Sequence, residues 1–588
     1  DLIRRHVLYA WDHAGDVAYH SQALPGRNAA LLDRASVYIR EYWRPDTYYT
    51  AMVDEVARIV PAFTLASVPG AEQLLTTNRD LLAADASVSS VPGSFTLKGW
   101  QDEMRSRIED SEARLKSDWV LQEAFQGQSM DMRSWLLETY HKDYRAHWNR
   151  FLSAVDVIPP DGVAVAANRV HDLADRTSPL VRLLDVAASN LRFKSANGGE
   201  ESPKELAAIE DDFAALHALF TVQGEGDNAK RPMDAYLIQL NGVLETLQQR
   251  QQSGDVGSSS VQFAKSVLGG TLTEKNAIAE ACAFSDLHGT GLPGADLEST
   301  TAVRTLLKRT PEAGWRGILA DAQRMLDVAW GNDVWGPFHD TLNGKYPFQS
   351  GGPDAPLAEF TRFFGTGGVF WNFYDADLAP FLDRDGNAKV MFRHGLLISP
   401  ESAAAIAKAQ EFRRALFADE AAPGKLGVTF RVKPAQTTKV SGQAPYVRTT
   451  RFSIAETRIV YDMGLSKETK VSWPGAQGIE GASVAVSMDG NEPGELNEPG
   501  PWGLFKLLDK SKITARTDSE SEVRFRMERA GEYVIEVPYL IRASTVPHPF
   551  RASFFQFDCP RQLSPAPGST APAPAATTTT TTAPPAGA

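Results

Sequence analysis

Residues 428–433, Val-Thr-Phe-Arg-Val-Lys, alternate apolar and polar side chains with a period of two. Successive side chains on a strand point to opposite faces, so Val428, Phe430 and Val432 share one face and Thr429, Arg431 and Lys433 the other. The alternation predicts a half-buried strand. It returns where Val523, Phe525 and Met527 interleave with Arg524, Arg526 and Glu528, and again in Tyr533, Ile535 and Val537 after a short Ala530-Gly531 turn. These last two runs read as the arms of a β-hairpin. A sandwich of antiparallel sheets over residues 425–563 is the natural way for several such strands to bury their apolar faces.

Upstream of that stretch the period is 3.6. Leu206, Ile209, Phe213, Leu216 and Phe220 are spaced by three or four residues, as are Tyr236, Leu240, Val243 and Leu247. Each set is the apolar stripe of an amphipathic helix and is expected to be core. Pro203 and Pro232 stand where those helices begin, a position that tolerates proline. Turn-forming residues mark candidate loops at 88–95, 157–162, 197–203, 224–228 and 252–260. The expected architecture is α+β and multidomain: stacked all-α helical domains at 1–157, 158–300 and 301–424, then the antiparallel β-sandwich at 425–563. The tail, 564–588, is Pro/Ala/Thr low-complexity sequence that cannot build a core and is expected to be disordered.

The net charge of −13, from 60 Lys+Arg against 73 Asp+Glu, offers no basic face for nucleic acid. No apolar run approaches the ~20 residues that span a bilayer. The chain opens on DLIRRHVLYAWDHAG, without a signal-peptide pattern, so any membrane anchor is expected upstream of Asp1. Cys282 and Cys559 fall in different expected domains and are not a disulfide framework.

Signs of chemistry are few. Gly289, Gly291 and Gly294 form a G-x-G-x-x-G, but a helical pattern precedes it and Pro293 interrupts it. A dinucleotide site needs a strand there, so a helix-to-helix loop is expected. His6, His13 and His20 recur every seven residues, which on a helix is ~10.5 Å, too far for two imidazoles to share a metal. Asp383, Asp385, Gly386 and Asn387 resemble the start of a calcium loop. Ala388 and His394 stand where that loop needs its glycine and its bidentate glutamate, so a polar turn is expected. Gly365, Gly367 and Gly368 lie between aromatic segments with no following Lys-Ser/Thr, and read as a tight turn. Glu210, Asp211 and Asp212 read as a solvated helix face. No catalytic, cofactor or metal residue is assigned, and the chain is expected not to be an enzyme.

One local pattern is more specific. PLAEFTRFFGTGGVFWNFYDADLAPFL, residues 356–382, resembles the DF-x-x-FF-GPGG segment of the TssM/IcmF family, the inner-membrane scaffold of bacterial type VI secretion systems. VPGSFTLKGW (91–100), DWV (118–120), SPLVRLLDVAAS (178–189), SWPG (472–475), GPWGLFKLLD (500–509) and HPFRASFFQFDCP (548–560) match other family stretches in the same order. Two departures are Thr366, for the usual proline after FFG, and His548, for the usual asparagine before PF.

The resemblance implies the periplasmic region of an inner-membrane protein of a Gram-negative bacterium. It implies that the terminal β domain binds the outer-membrane lipoprotein TssJ, that TssL belongs to the same complex, and that the chain self-associates into a multimer. Candidate contact residues are Trp473, Pro474, Gly475, Asn497, Trp502, His548, Phe550 and Arg551. Trp473 and Trp502 are either hot spots of an interface or buried anchors of the β core, and the core reading is favoured. Phe554, Phe555 and Phe557 read as a strand-like run, with Phe555 and Phe557 sharing one core face. Two other classes remain open: an envelope glycan-binding module, which needs a row of exposed aromatics, and a peptidoglycan-remodelling enzyme, which needs a cleft with paired carboxylates or a metal.

Overall fold

The computed structural model describes Val37 and residues 44–117, 131–193, 203–223, 230–273, 275–418, 424–442, 446–475, 480–488, 491–529, 533–551 and 553–566. The three N-terminal histidines, DWV, the 224–228 loop, the Ala530-Gly531 turn and nearly all of the tail lie outside them. The chain forms two compact units, interleaved along the sequence. One comprises Asp1–Pro159, Asn168–Leu244 and Ala277–Ala313; the other comprises Pro160–Ala167, Glu245–Asn276 and Gly314–Ala588.

The first unit is built on the helix Met132–Ala154, whose Leu136, Tyr140, Tyr144, Trp148 and Phe151 are buried. Against it lies a stretch read from sequence as a loop, 88–95. Gly93, Ser94 and Phe95 are instead buried in a 3-10 turn. Tyr140 and Trp148 donate to the carbonyls of Ser94 (2.6 Å) and Phe95 (2.9 Å), so this irregular backbone is satisfied by the helix it packs on. Two short antiparallel pairs interrupt the helical pattern. β1 (Phe63–Thr64) pairs β3 (Ser90–Val91), and β2 (Leu75–Thr77) pairs β4 (Val155–Val157). Strands this short carry too few residues to show a period. The stripe from Leu206 to Leu216 is fully buried, as its spacing predicts. Its helix is two helices, Lys204–Asp212 and Ala214–Ala218, because Phe213 leaves helical geometry at φ −97°, ψ 26°. Asp212 is also more than a solvated acid: His141 Nε2 lies 2.7 Å from its carboxylate.

In the second unit Asp255 caps the helix Val256–Gly269 through Ser258 N at 3.0 Å, so half of the loop expected at 252–260 is helix. The helices Gly336–Thr341, Leu357–Phe364, Val369–Phe373 and Pro400–Leu416 bring together Phe338, Phe360, Phe363, Phe364 and Phe412. The glycine turn is needed to do so. A Cβ on Gly368 would lie 2.7–2.9 Å from three backbone carbonyl oxygens, those of Arg362, Gly365 and Phe363.

The β module follows with ten strands: β5 (Val428–Pro434), β6 (Thr438–Gly442), β7 (Val447–Ile454), β8 (Thr457–Tyr461), β9 (Thr469–Trp473), β10 (Ala482–Met488), β11 (Asn491–Glu498), β12 (Ser511–Ala515), β13 (Glu520–Arg529) and β14 (Tyr533–Ala543). One sheet runs β11-β10-β7-β8 and the other β12-β13-β14-β5-β9, with β6 beside the first half of β14. All pairs are antiparallel. Phe452 of the first sheet meets Phe525 and Tyr539 of the second at ring distances of 5.4 and 4.9 Å, which closes the sandwich. Val428, Phe430 and Val432 are buried as the opening alternation requires.

Candidate functional site

The sandwich has two ends, and strand register tells them apart. Val428 pairs with Trp473, and Ala482 with both Ile454 and Glu498. These residues, with helix Gly503–Asp509, make one end, called here the base. Pro434, Tyr461, Thr469 and Met488 lie toward the opposite end, as do the strand ends Gly442, Val447, Arg529 and Tyr533.

The base is aromatic. Trp502 and Trp473 stand 5.2 Å apart and both meet Phe505, which stacks on Phe550 and meets Phe555 at 4.8 Å. Each indole N–H is used. That of Trp473 donates to Pro501 O (2.9 Å), and that of Trp502 to Ala355 O in the helical part of the same unit (2.7 Å). Tyr346 donates to Asp509 Oδ2 at 2.7 Å, where burial pushes the carboxyl above its ordinary range. The base is therefore where the module meets the helices of its own unit.

That places the eight sequence-derived contact residues. Trp473, Trp502, His548 and Phe550 are buried, Trp502 completely. The two indoles are therefore anchors of the core. Pro474 and Gly475 are half-buried, and Asn497 on β11 is exposed. Arg551 is exposed and ion-pairs with Glu411 of helix Pro400–Leu416 at 3.2 Å. The structure gathers most of them at the base, toward the chain's own helices. His548 accepts from Phe550 N through Nδ1 (3.2 Å), and burial lowers its affinity for a proton. Phe554, Phe555 and Phe557 are buried, but in turn and irregular backbone rather than a strand.

The far end carries what sequence reasoning missed. Leu465, in the β8–β9 connection, is 99% exposed. Tyr446, leading into β7, and Val440 on β6 are exposed as well. Ser466 donates to Pro434 O and holds the Leu465 loop against the far end of β5. Leu465 sits in a polar Gly-Leu-Ser-Lys context with no periodicity, so only its place in the fold marks it. Among the described residues, Tyr446 is the exposed aromatic of the module, so no aromatic row of the kind a glycan-binding face uses is seen there.

The other motifs resolve simply. Gly289, Gly291 and Gly294 all have positive φ in a loop between helices Ala277–Leu287 and Leu297–Trp330. Asp383 Oδ1 accepts from Asp385 N and Asn387 N, both at 2.9 Å, as a polar turn does. Among the described residues no cluster of His, Cys, Asp and Glu could hold a metal ion. Cys282 and Cys559 are free and buried, and burial pushes both thiols up to about 12. The first unit has an open cleft of about 960 Å³ lined in part by Gln73, His171, Asp175, Arg176, Arg182 and Asp234. Two of its carboxylates are engaged: Asp234 by Arg176 at 3.1 Å, Asp175 by Thr177 N at 2.7 Å.

Comparison with known proteins agrees with this architecture segment by segment. Residues 2–192 match the family described as IcmF-related, "Intracellular multiplication and human macrophage-killing". Residues 321–422 match the type VI secretion protein IcmF helical domain, and residues 430–538 the IcmF C2-like domain. Type VI secretion system component TssM1 of Pseudomonas aeruginosa PAO1 is 24% identical over 552 residues, covering 86% of this chain and 46% of that relative. The chain thus spans about half the length of the curated relative it matches. A chain of a solved type VI secretion system membrane core complex superposes with a TM-score of 0.51 at 21% identity, covering 89% of this chain and 99% of that one. A chain of a solved type VI membrane complex gives 0.56 at 19% identity, covering 88% and 100%. At these identities the superpositions speak to the fold.

Proposed function

This chain belongs to the TssM/IcmF family of type VI secretion proteins, and we propose that it serves as a structural scaffold of the secretion membrane complex whose β module docks a partner. The partner we propose is the outer-membrane lipoprotein TssJ. In this reading the chain lies in the periplasm, reaches toward the outer membrane, and works alongside TssL and further copies of itself. No described helix is long and apolar enough to cross a membrane. The role is mechanical and recognitive rather than catalytic.

The observation that carries the docking reading is the contrast between the ends of the sandwich. The base is packed with aromatics and leaves Val546 exposed beyond β14, while the far end presents three apolar residues, Leu465, Tyr446 and Val440, to solvent. Exposed apolar side chains on loops held by a rigid scaffold suit recognition of a protein partner. We therefore place the contact at the far end, with the buried aromatics of the base supporting the module from beneath.

The test is capture of purified TssJ by the whole chain. Leu465→Glu and Tyr446→Glu are expected to weaken capture by about tenfold or more, since a buried unpaired charge at an interface costs several kcal/mol. Asn497→Ala at the base is expected to leave it unchanged. Loss of capture on the Asn497 change, with none from Leu465, would move the contact to the base. Absence of capture by the unaltered chain would remove the docking role. Digestion of cell-wall substrate by the pure chain would favour the enzyme reading instead.

A further inference from the structure

Residues 548–566 follow the last strand of the sandwich, and beyond Phe550 their partners lie largely outside it. Phe550 packs on Phe430 at 4.5 Å, inside the module. Phe554, Phe555 and Phe557 then enter the aromatic cluster of the helices: Phe412 lies 5.4, 5.8 and 5.9 Å from them, and Phe557 meets Phe364 and Phe338 at 5.1 Å. Phe555 still touches Trp502 and Phe505, so it sits on the seam. Past it, the polar contacts go to helical elements. Trp330 Nε1 donates to Pro560 O (2.7 Å), Ser399 N to Leu563 O (2.8 Å) and Ser402 Oγ to Gln562 O (3.1 Å). The Arg561 guanidinium lies 5.4 Å over the Trp335 ring.

One side chain closes the arrangement. The Asp327 carboxylate, near the end of helix Leu297–Trp330, accepts three hydrogen bonds from the segment. Two come from Leu563 N and Ser564 N to Oδ1, both at 2.9 Å, and one from Ser564 Oγ to Oδ2 at 2.7 Å. Charge-assisted bonds of this kind are the stronger class. Residues 553–566 contain neither helix nor strand, so no ladder of their own holds them in place.

We propose that residues 548–564 are a strap, anchored in the sandwich by Phe550 and latched to the helical part of the same unit by Asp327, which gives the β module a second mechanical tie to the helices. The first tie is the chain connection from helix Pro400–Leu416 to β5, where Gly427 N bonds Leu416 O at 2.8 Å. Tension on the module then loads both ties, and the strap delivers its share to a 34-residue helix. The inference needs no particular partner and stands apart from the docking reading.

Hydrogen exchange on the whole chain tests it. Asp327 is half-exposed, so Asp327→Ala removes the latch and leaves the core intact. The expected result is exchange about tenfold or more faster over 556–564, with the β13 and β14 amides keeping their protection. Phe557→Ala should give the same pattern from the aromatic side. Unchanged exchange over 556–564 in Asp327→Ala would overturn the latch. Loss of protection in β13 and β14 in step with the segment would show it to be part of the sandwich, and would overturn the strap.

Discussion

The Tyr236 hydroxyl donates to the Leu307 carbonyl at 2.6 Å, and the reason is Pro311. In helix Leu297–Trp330 the Leu307 oxygen would accept from the N–H four residues on, and proline has none. Tyr236 is fully buried, so the bond it makes fills a vacancy in a dry interior. Tyr236→Phe should leave that carbonyl unpaired and destabilise the chain by about 1–3 kcal/mol, measured by chemical denaturation. In a Pro311→Ala background the backbone regains its donor, and the same Tyr236→Phe change should cost distinctly less. Equal cost in both backgrounds would refute the link.

At the base of the β module, Trp502 combines bulk with a hydrogen bond to Ala355 O. Trp502→Ala should cost about 3–5 kcal/mol by opening a cavity. Trp502→Phe keeps much of the ring but leaves the carbonyl without its donor, and should cost about 1–3 kcal/mol. Thermal melting of both variants checks the order, and a Phe variant as damaged as Ala would contradict it.

The VPGSFTLKGW stretch depends on two glycines for space. A Cβ on Gly93 would sit 1.9 Å from Val60 O, and one on Gly99 1.9 Å from Gly93 O. Both neighbours are backbone and cannot swing aside. Gly93→Ala or Gly99→Ala should sharply lower the yield of soluble protein. Gly367 has positive φ but open space around it, so Gly367→Asn should be tolerated, since asparagine accepts that region. Soluble expression of the Gly93 variant at normal yield would argue against the steric account.

His147 stacks on Phe95 at 4.5 Å, near the Arg150 guanidinium and Asp85. Burial first, and Arg150 second, lower its pKa to about 4. The folded chain binds this proton less readily than the unfolded one, whose histidine titrates near ~6.5. The stabilisation is therefore complete above about pH 6.5 and lost progressively as pH falls toward 4. His147→Gln should flatten that part of the acid limb in pH-dependent denaturation. An unchanged slope would mean that other groups set it.

The relation between sequence and structure differs from element to element. The alternation at 428–433 and the stripe through Leu206 and Leu216 were readable because burial on one face imposes a period on neighbouring residues. The ordered motifs were readable for another reason: the aromatics of FFGTGG and GPWGLF, with Gly365, Gly368 and Gly503, are held by steric fit to the backbone and rings around them. That fit is also why they made poor guides to a contact surface, since tightly fitted residues lie inside.

By itself, then, the sequence determined the amphipathic helices and alternating strands it was read for, the change from helices to an antiparallel sandwich, and the family. Tertiary structure alone decided which end of the sandwich packs on the helices, that the 88–95 stretch is core, and that residues 548–564 run back onto the helices. Trp330 and Pro560 stand 230 residues apart when they bond, as do Asp327 and Leu563 at 236. Periodicity records only which way a side chain faces along its own element, whereas partners so distant are chosen by how complete surfaces fit together.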